Sequence, residues 1–148
     1  MSSIEEQLLA ARASGNPAAI SDAIPFAGFM GFTLTQGAQG LVGALAYDEK
    51  LIGNPRLPAL HGGSIGAFLE MTALAHLMWE IEVPGIPRTI NITVEYLRSG
   101  KPENTFASAV ITKHGRRVAN VSVTAWQSDP AKPIATAHGH FLLPEAKD

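Results

Sequence analysis

No cysteine occurs in this chain. Disulfides, thiolate nucleophiles and thiolate-bound zinc are therefore outside its chemistry. Charge is scarce as well. Only 16% of the residues are charged, against about 25% in an average soluble domain. A surface this poor in charge points to partner chains covering part of it, and a symmetric dimer is the commonest arrangement. The net charge of −2 supplies no basic footprint for nucleic acid or for an anionic membrane. Long hydrophobic runs are also missing, so nothing reads as a membrane span. Residues 1–13 do not read as a secretory signal, because Glu5 and Glu6 stand where such a signal is basic. The expected setting is the cytoplasm.

What the chain does have is apolar residues, at 46% of 148, enough for one compact domain with a sizeable core. Ser2 and Ser3 can cap a short helix over Ile4–Ala13, which Gly15-Asn16-Pro17 ends. A second helix is expected from Pro17 to about Phe26, since proline suits a first helical turn. Strands are expected over Phe32–Gln36 and Leu41–Tyr47, joined at Gly37-Ala38-Gln39-Gly40. Residues 48–60 read as a loop. The one long helical pattern runs from Gly62 to about Glu80 and stops at Val83-Pro84-Gly85-Ile86-Pro87. Four more strands follow: Arg88–Leu97, Thr105–Lys113, Val118–Gln127 and Ile134–Leu143. Strand runs on both sides of one helix indicate an α+β fold with an antiparallel sheet. The helix is apolar on nearly every face, which requires burial on most sides. Residues 1–30 are expected to form a helical segment packed on a single domain spanning 31–148.

The chemistry concentrates in Leu60-His61-Gly62-Gly63-Ser64-Ile65-Gly66-Ala67-Phe68-Leu69-Glu70. Glycines at a helix start let another group approach the backbone closely. The first N–H groups there have no partner inside the helix and sit at its positive end. They can polarise a carbonyl whose oxygen gains charge. Glu70 places a carboxylate in apolar surroundings, which demands a partner or a role. Gly62 and Glu70 are separated by about 12 Å along one helix axis. If both act on one small group, they come from different subunits, and the active site lies at a dimer interface.

His61-Gly62-Gly63, with an acid nine residues after the histidine, resembles the hotdog thioesterases of the phenylacetate-pathway and 4-hydroxybenzoyl-CoA type. The resemblance extends over about Ile24–Pro144. It includes Ile24-Pro25-Phe26-Ala27-Gly28-Phe29-Met30-Gly31, the strand from Thr89 to Leu97, and His138-Gly139-His140-Phe141-Leu142-Leu143-Pro144. It implies a curved antiparallel sheet around the central helix, and hydrolysis of an acyl-CoA thioester to a carboxylate and CoA. The Gly62 N–H would polarise the thioester carbonyl, and His61 would orient the loop or contact the thioester. Glu70 of the other subunit would be nucleophile or general base. Thr89 falls where some members carry a hydroxyl that positions water. Asn54 stands for an upstream asparagine, although it precedes His61 by seven residues where six is commoner. No cofactor is implied, since CoA is part of the substrate. A homodimer is implied, with its pairing into tetramers open.

Other residues extend the site. Gly63 allows close approach, and Phe68 and Met71 can line an acyl pocket or belong to the core. Arg98 and Arg116, with Lys101 and Arg117, can meet the CoA phosphates or remain solvated strand-end charges. His138 and His140 share a strand face, but no third ligand completes a metal site. His76 reads as a surface or interface residue. Structural readings compete with functional ones: His61 as a helix cap, Glu70 as an interface ion pair, Thr89 as plain strand, Asn54 as an ordinary turn. A hotdog enoyl-CoA hydratase or dehydratase, and a non-catalytic acyl-CoA-binding protein, are the alternative functions.

Overall fold

In a computed structural model, which describes residues 3–82 and 85–145, three short helices precede the first strand. Helix α1 (Ile4–Ser14) is capped by Ser3, whose hydroxyl accepts from the Glu6 N–H at 3.2 Å, and it ends at Gly15 with φ 69°. The helix expected from Pro17 to Phe26 is instead two helices, α2 (Ala18–Asp22) and α3 (Pro25–Met30). The break is at Ile24, which is extended at φ −108°, ψ 109°. Proline at 25 drives its predecessor out of the helical region, and the same ring then opens α3. Gly31, at φ 78°, closes α3.

Strands β1 (Phe32–Gly37) and β2 (Gly40–Leu45) form the expected hairpin, pairing from Phe32↔Leu45 to Gly37↔Gly40. The expected loop over residues 48–60 has more structure than its prolines suggest. It holds a single 3-10 turn at Glu49–Leu51 and a small hairpin of β3 (Ile52–Asn54) with β4 (Ala59–Leu60). Helix α4 spans Gly62–Glu80. It ends before the proline-rich stop; within that stop, Val83 and Pro84 lie outside the described residues. Strands β5 (Arg88–Tyr96), β6 (Thr105–His114), β7 (Val118–Trp126) and β8 (Ala135–Leu142) complete the chain.

Six strands make one antiparallel sheet in the order β1-β2-β6-β7-β8-β5. Its inner face wraps α4, which gives the hotdog arrangement. The alternation in β7 shows why: Ala119, Val121, Val123 and Ala125 are buried, and the residues between them are not. Small residues line this inner face and let the helix approach. A Cβ at Gly43 would lie 2.7 Å from the Thr72 hydroxyl and 3.1 Å from the Phe32 ring. Phe68 is fully buried and meets Phe32 edge to face at 5.8 Å. Strand β1 is covered by α2 and α3. At the opposite edge, among the described residues, β5 pairs only with β8.

Candidate active site

The start of α4 is held from three directions. The His61 N–H donates to the Leu51 carbonyl at 2.7 Å, tying the helix start to the 3-10 turn. Just before it, the Leu60 N–H donates to the Gly100 carbonyl at 2.9 Å. Gly53 of β3 backs against His61 so closely that a Cβ there would lie 2.7 Å from His61 Cα and 2.9 Å from its Cβ. Only glycine fits that approach.

His61 is the N-cap of α4, at φ −64°, ψ 131°. Its Nδ1 accepts from the Gly63 N–H at 2.9 Å, so the neutral ring carries its proton on Nε2. Its carbonyl accepts from the Ser64 and Ile65 N–H groups at 3.0 and 3.2 Å. Three of the four leading N–H groups are thus engaged. Among the described residues none accepts from the Gly62 N–H. That unengaged donor is at the positive end of a helix of 19 residues.

A groove of about 320 Å³ adjoins this end, lined by Leu60, Gly62, Ile65, Tyr96, Arg98 and Gly100 among others. Arg98 flanks it with Nη1 donating to the Pro133 carbonyl at 2.7 Å. Arg116 is not brought there. It lies in the turn between β6 and β7, at the end of the sheet where Arg88 pairs with Leu142 and Leu142 with Val118. Gly62 contacts Tyr96, which sits at the other end of β5. Lys101 follows Gly100 beyond Arg98, and its backbone is held by Gln127. Arg117 pairs with Glu145 at 3.0 Å.

Glu70 is half-buried on α4, and among the described residues its carboxylate has no partner. Leu74, one turn further along the same helix face, is also half-buried, as is Met71. Phe68 faces the core. Thr89 is half-buried near the start of β5, beside a register shift that leaves Ile90 half exposed. Asn54 closes an ordinary turn, its Oδ1 accepting from the Arg56 N–H at 3.1 Å. His140 meets Asn91 across the strands at 2.9 Å and His138 is exposed. Among the described residues no three His, Asp or Glu converge as metal ligands. His76 is not a surface residue: it is half-buried, and its Nδ1 is sealed with no hydrogen-bond partner. Burial pulls its pKa below 6.5, against the opposing field of Glu80.

Residues 54–142 match the family model of the acyl-CoA thioesterase N-terminal domain. The chain belongs to the acyl-CoA thioesterase family. No curated protein matches this thioesterase in sequence. Among solved structures, a Chromobacterium violaceum protein is 38% identical, with 96% of this chain and 99% of that one covered and a TM-score of 0.78. A Bacillus halodurans protein solved with CoA is 15% identical, covering 99% and 97%, with a TM-score of 0.74. A phenylacetic acid degradation-related protein of Ralstonia eutropha is 22% identical, covering 80% and 90%, with a TM-score of 0.71. Among the described residues, no helix of this thioesterase is long and apolar enough to cross a membrane.

Two parts of the helix-start geometry were not singled out from sequence. Gly53 looked like part of a proline turn. Tyr96 ends a strand, and its hydroxyl donates to the Gly62 carbonyl at 2.7 Å. The available signal was the spacing of Gly62 and Gly66, one helical turn apart, which leaves a smooth face for a ring.

Proposed function

We propose that this acyl-CoA thioesterase acts as a homodimer whose two active sites each draw on both subunits. In each site the Gly62 N–H of one subunit polarises the thioester carbonyl, and Glu70 of the other faces it. The observation that carries this reading is a pair of groups on α4 with no partner among the described residues, the N–H at its start and a carboxylate eight residues on. They are about 12 Å apart along one helix axis, so antiparallel pairing of two α4 helices is what brings them together. The bare edge of β5 supplies a surface for that pairing.

The tetrahedral oxyanion then forms at the positive end of the helix, where a preorganised donor stabilises it. Glu70 either attacks the carbonyl carbon, giving an anhydride and expelling the CoA thiolate, or takes a proton from the attacking water. His61 holds the helix start, Gly63 gives it room, and Thr89 and Asn54 act on water and on the approach loop. Met71 borders the acyl group, and Arg98 the CoA phosphates. Phe68 supports the site from the core. CoA arrives with the substrate, so no separate cofactor takes part. Residues 1–30 form a helical segment on the hotdog domain of 31–148, and the enzyme works in the cytoplasm.

The test is CoA release over a panel of aromatic and medium-chain acyl-CoA substrates by wild type, Glu70→Gln and Glu70→Ala. Both variants are expected to lose about 10²–10⁴-fold in kcat. Undiminished turnover in both removes Glu70 from the reaction. Hydration of an enoyl-CoA without CoA release, or binding without turnover, would replace the hydrolase reading.

A further inference from the structure

The peptide unit joining Gly62 to Gly63 is bonded at both ends by side chains, one from the neighbouring helix cap and one from a strand 34 residues away. Its carbonyl oxygen accepts from the Tyr96 hydroxyl at 2.7 Å. Its N–H donates to His61 Nδ1 at 2.9 Å. Consecutive glycines have the widest backbone freedom available, so such contacts decide how firmly this unit is held. The fit extends beyond the hydrogen bond. A Cβ at Gly62 would lie 3.4 Å from the Tyr96 ring and hydroxyl, and one at Gly66 would lie 3.5 Å from the hydroxyl. The ring therefore lies over Gly62 and its hydroxyl reaches Gly66, on one helix face. Yet Tyr96 is 55% exposed and borders the same groove as Gly62 and Arg98. A tyrosine this exposed can donate its hydrogen bond to water. Here its hydroxyl donates instead to the carbonyl of the residue whose own N–H is unengaged.

We propose that Tyr96 is a positioning residue for thioester hydrolysis: together with His61 it clamps the Gly62–Gly63 peptide and so keeps the Gly62 N–H aimed at the reacting carbonyl. This rests on the reading of Gly62 as the polarising donor. The Gly62 N–H belongs to the preceding peptide plane, which turns relative to the clamped one only through the two soft dihedrals of Gly62. Fixing one plane at both ends, with His61 N–H anchored on Leu51, restricts both. A donor preorganised in this way stabilises charge only when it develops in the transition state. Its loss therefore appears in kcat.

Tyr96→Phe keeps the ring and removes the hydroxyl. The expected result is a fall in kcat of about tenfold with KM within about twofold of wild type, since small misplacements of a reacting geometry carry penalties up to about 10²-fold. Tyr96→Leu, which also uncovers the two glycines, is expected to fall further. Unchanged kcat in Tyr96→Phe, or a rise in KM at constant kcat, overturns the proposal. Amide hydrogen exchange supplies a readout independent of turnover: exchange at Gly63 speeds up in Tyr96→Phe while exchange in the centre of α4 does not. Unchanged exchange at Gly63 overturns the clamp. If wild type releases no CoA from any substrate, the reading of Gly62 fails, and the exchange comparison still decides whether the clamp exists.

Discussion

The two ends of α4 handle polar atoms in opposite ways. At its start the backbone polar atoms have specific settings beside a groove: Gly63 N–H on His61, Gly62 carbonyl under Tyr96, Gly62 N–H unengaged among the described residues. Further along, the helix is sealed. Phe68, Leu69, Thr72 and Leu77 are buried, and the Nδ1 of His76 is enclosed with no partner. The sealed part gives the open part a rigid base, and the open part keeps donors that water or substrate can reach. Substitutions at the helix start should therefore cost turnover, and those of the buried residues Phe68, Leu69, Thr72 and Leu77 should cost stability; Glu70, half-buried among them, belongs to the proposed chemistry.

The largest effect tests the sealed region. Phe68→Ala removes a ring that packs on Phe32 and sits beside Gly43. The expected loss is about 3–5 kcal/mol, read from urea denaturation, with KM near wild type in the folded fraction. A small stability loss with a large rise in KM for one acyl class would break the comparison. Phe68 would then line the acyl pocket, the other role its sequence position allowed.

Next comes Gly53→Ala, which tests the open region. The added Cβ would meet His61 Cα at 2.7 Å, and backbone has to move. A displacement of about 1 Å at the helix start is expected to cost about 10²-fold in kcat/KM, against a stability loss of about 1–3 kcal/mol. Full activity in a stable Gly53→Ala protein would show that the placement of His61 has no bearing on turnover.

How much of this was legible in sequence follows the same division. The bounds of α4 could be read from His61-Gly62-Gly63 and from the apolar pattern that follows, because capping and periodicity are local. The strands of the sheet were legible for the same reason. The split between α2 and α3 is also local, and Ile24-Pro25 carried the signal in its restricted backbone. What sequence could not reveal depends on contacts between distant segments. The spacing of Gly53 and His61 permits many loop shapes, and only the β3–β4 hairpin presses one onto the other. Tyr96 and Gly62 are 34 residues apart. Arg98 and Arg116 looked alike as charges near turns, yet they belong to opposite ends of the sheet. The surface half of the His76 reading failed because its helix position was judged from Glu70 alone, without the elements that bury it; the interface half is not touched by this.

The smallest expected effect concerns His76 and sharpens the comparison by pH. Burial holds its pKa below 6.5 in the folded chain, with Glu80 opposing. The unfolded chain therefore takes up a proton from about pH 6.5 downward while the folded chain does not. Stability rises with pH wherever the unfolded state binds more protons. This residue's contribution is thus full above 6.5, is lost progressively as pH falls below it, and levels off beneath the folded pKa. His76→Leu removes both the titration and the enclosed, unpartnered Nδ1, and replacing such an atom with an apolar group of similar size is near neutral or stabilising. Thermal unfolding followed from pH 7.5 to 5 should show the wild-type Tm falling more steeply than that of the variant, with kcat at pH 7.5 alike in both. Parallel Tm curves would mean that His76 is neutralised equally well folded and unfolded. A drop in kcat for His76→Leu would mean that the sealed part of α4 reaches the chemistry at its open start, and the division between the two regions would no longer hold.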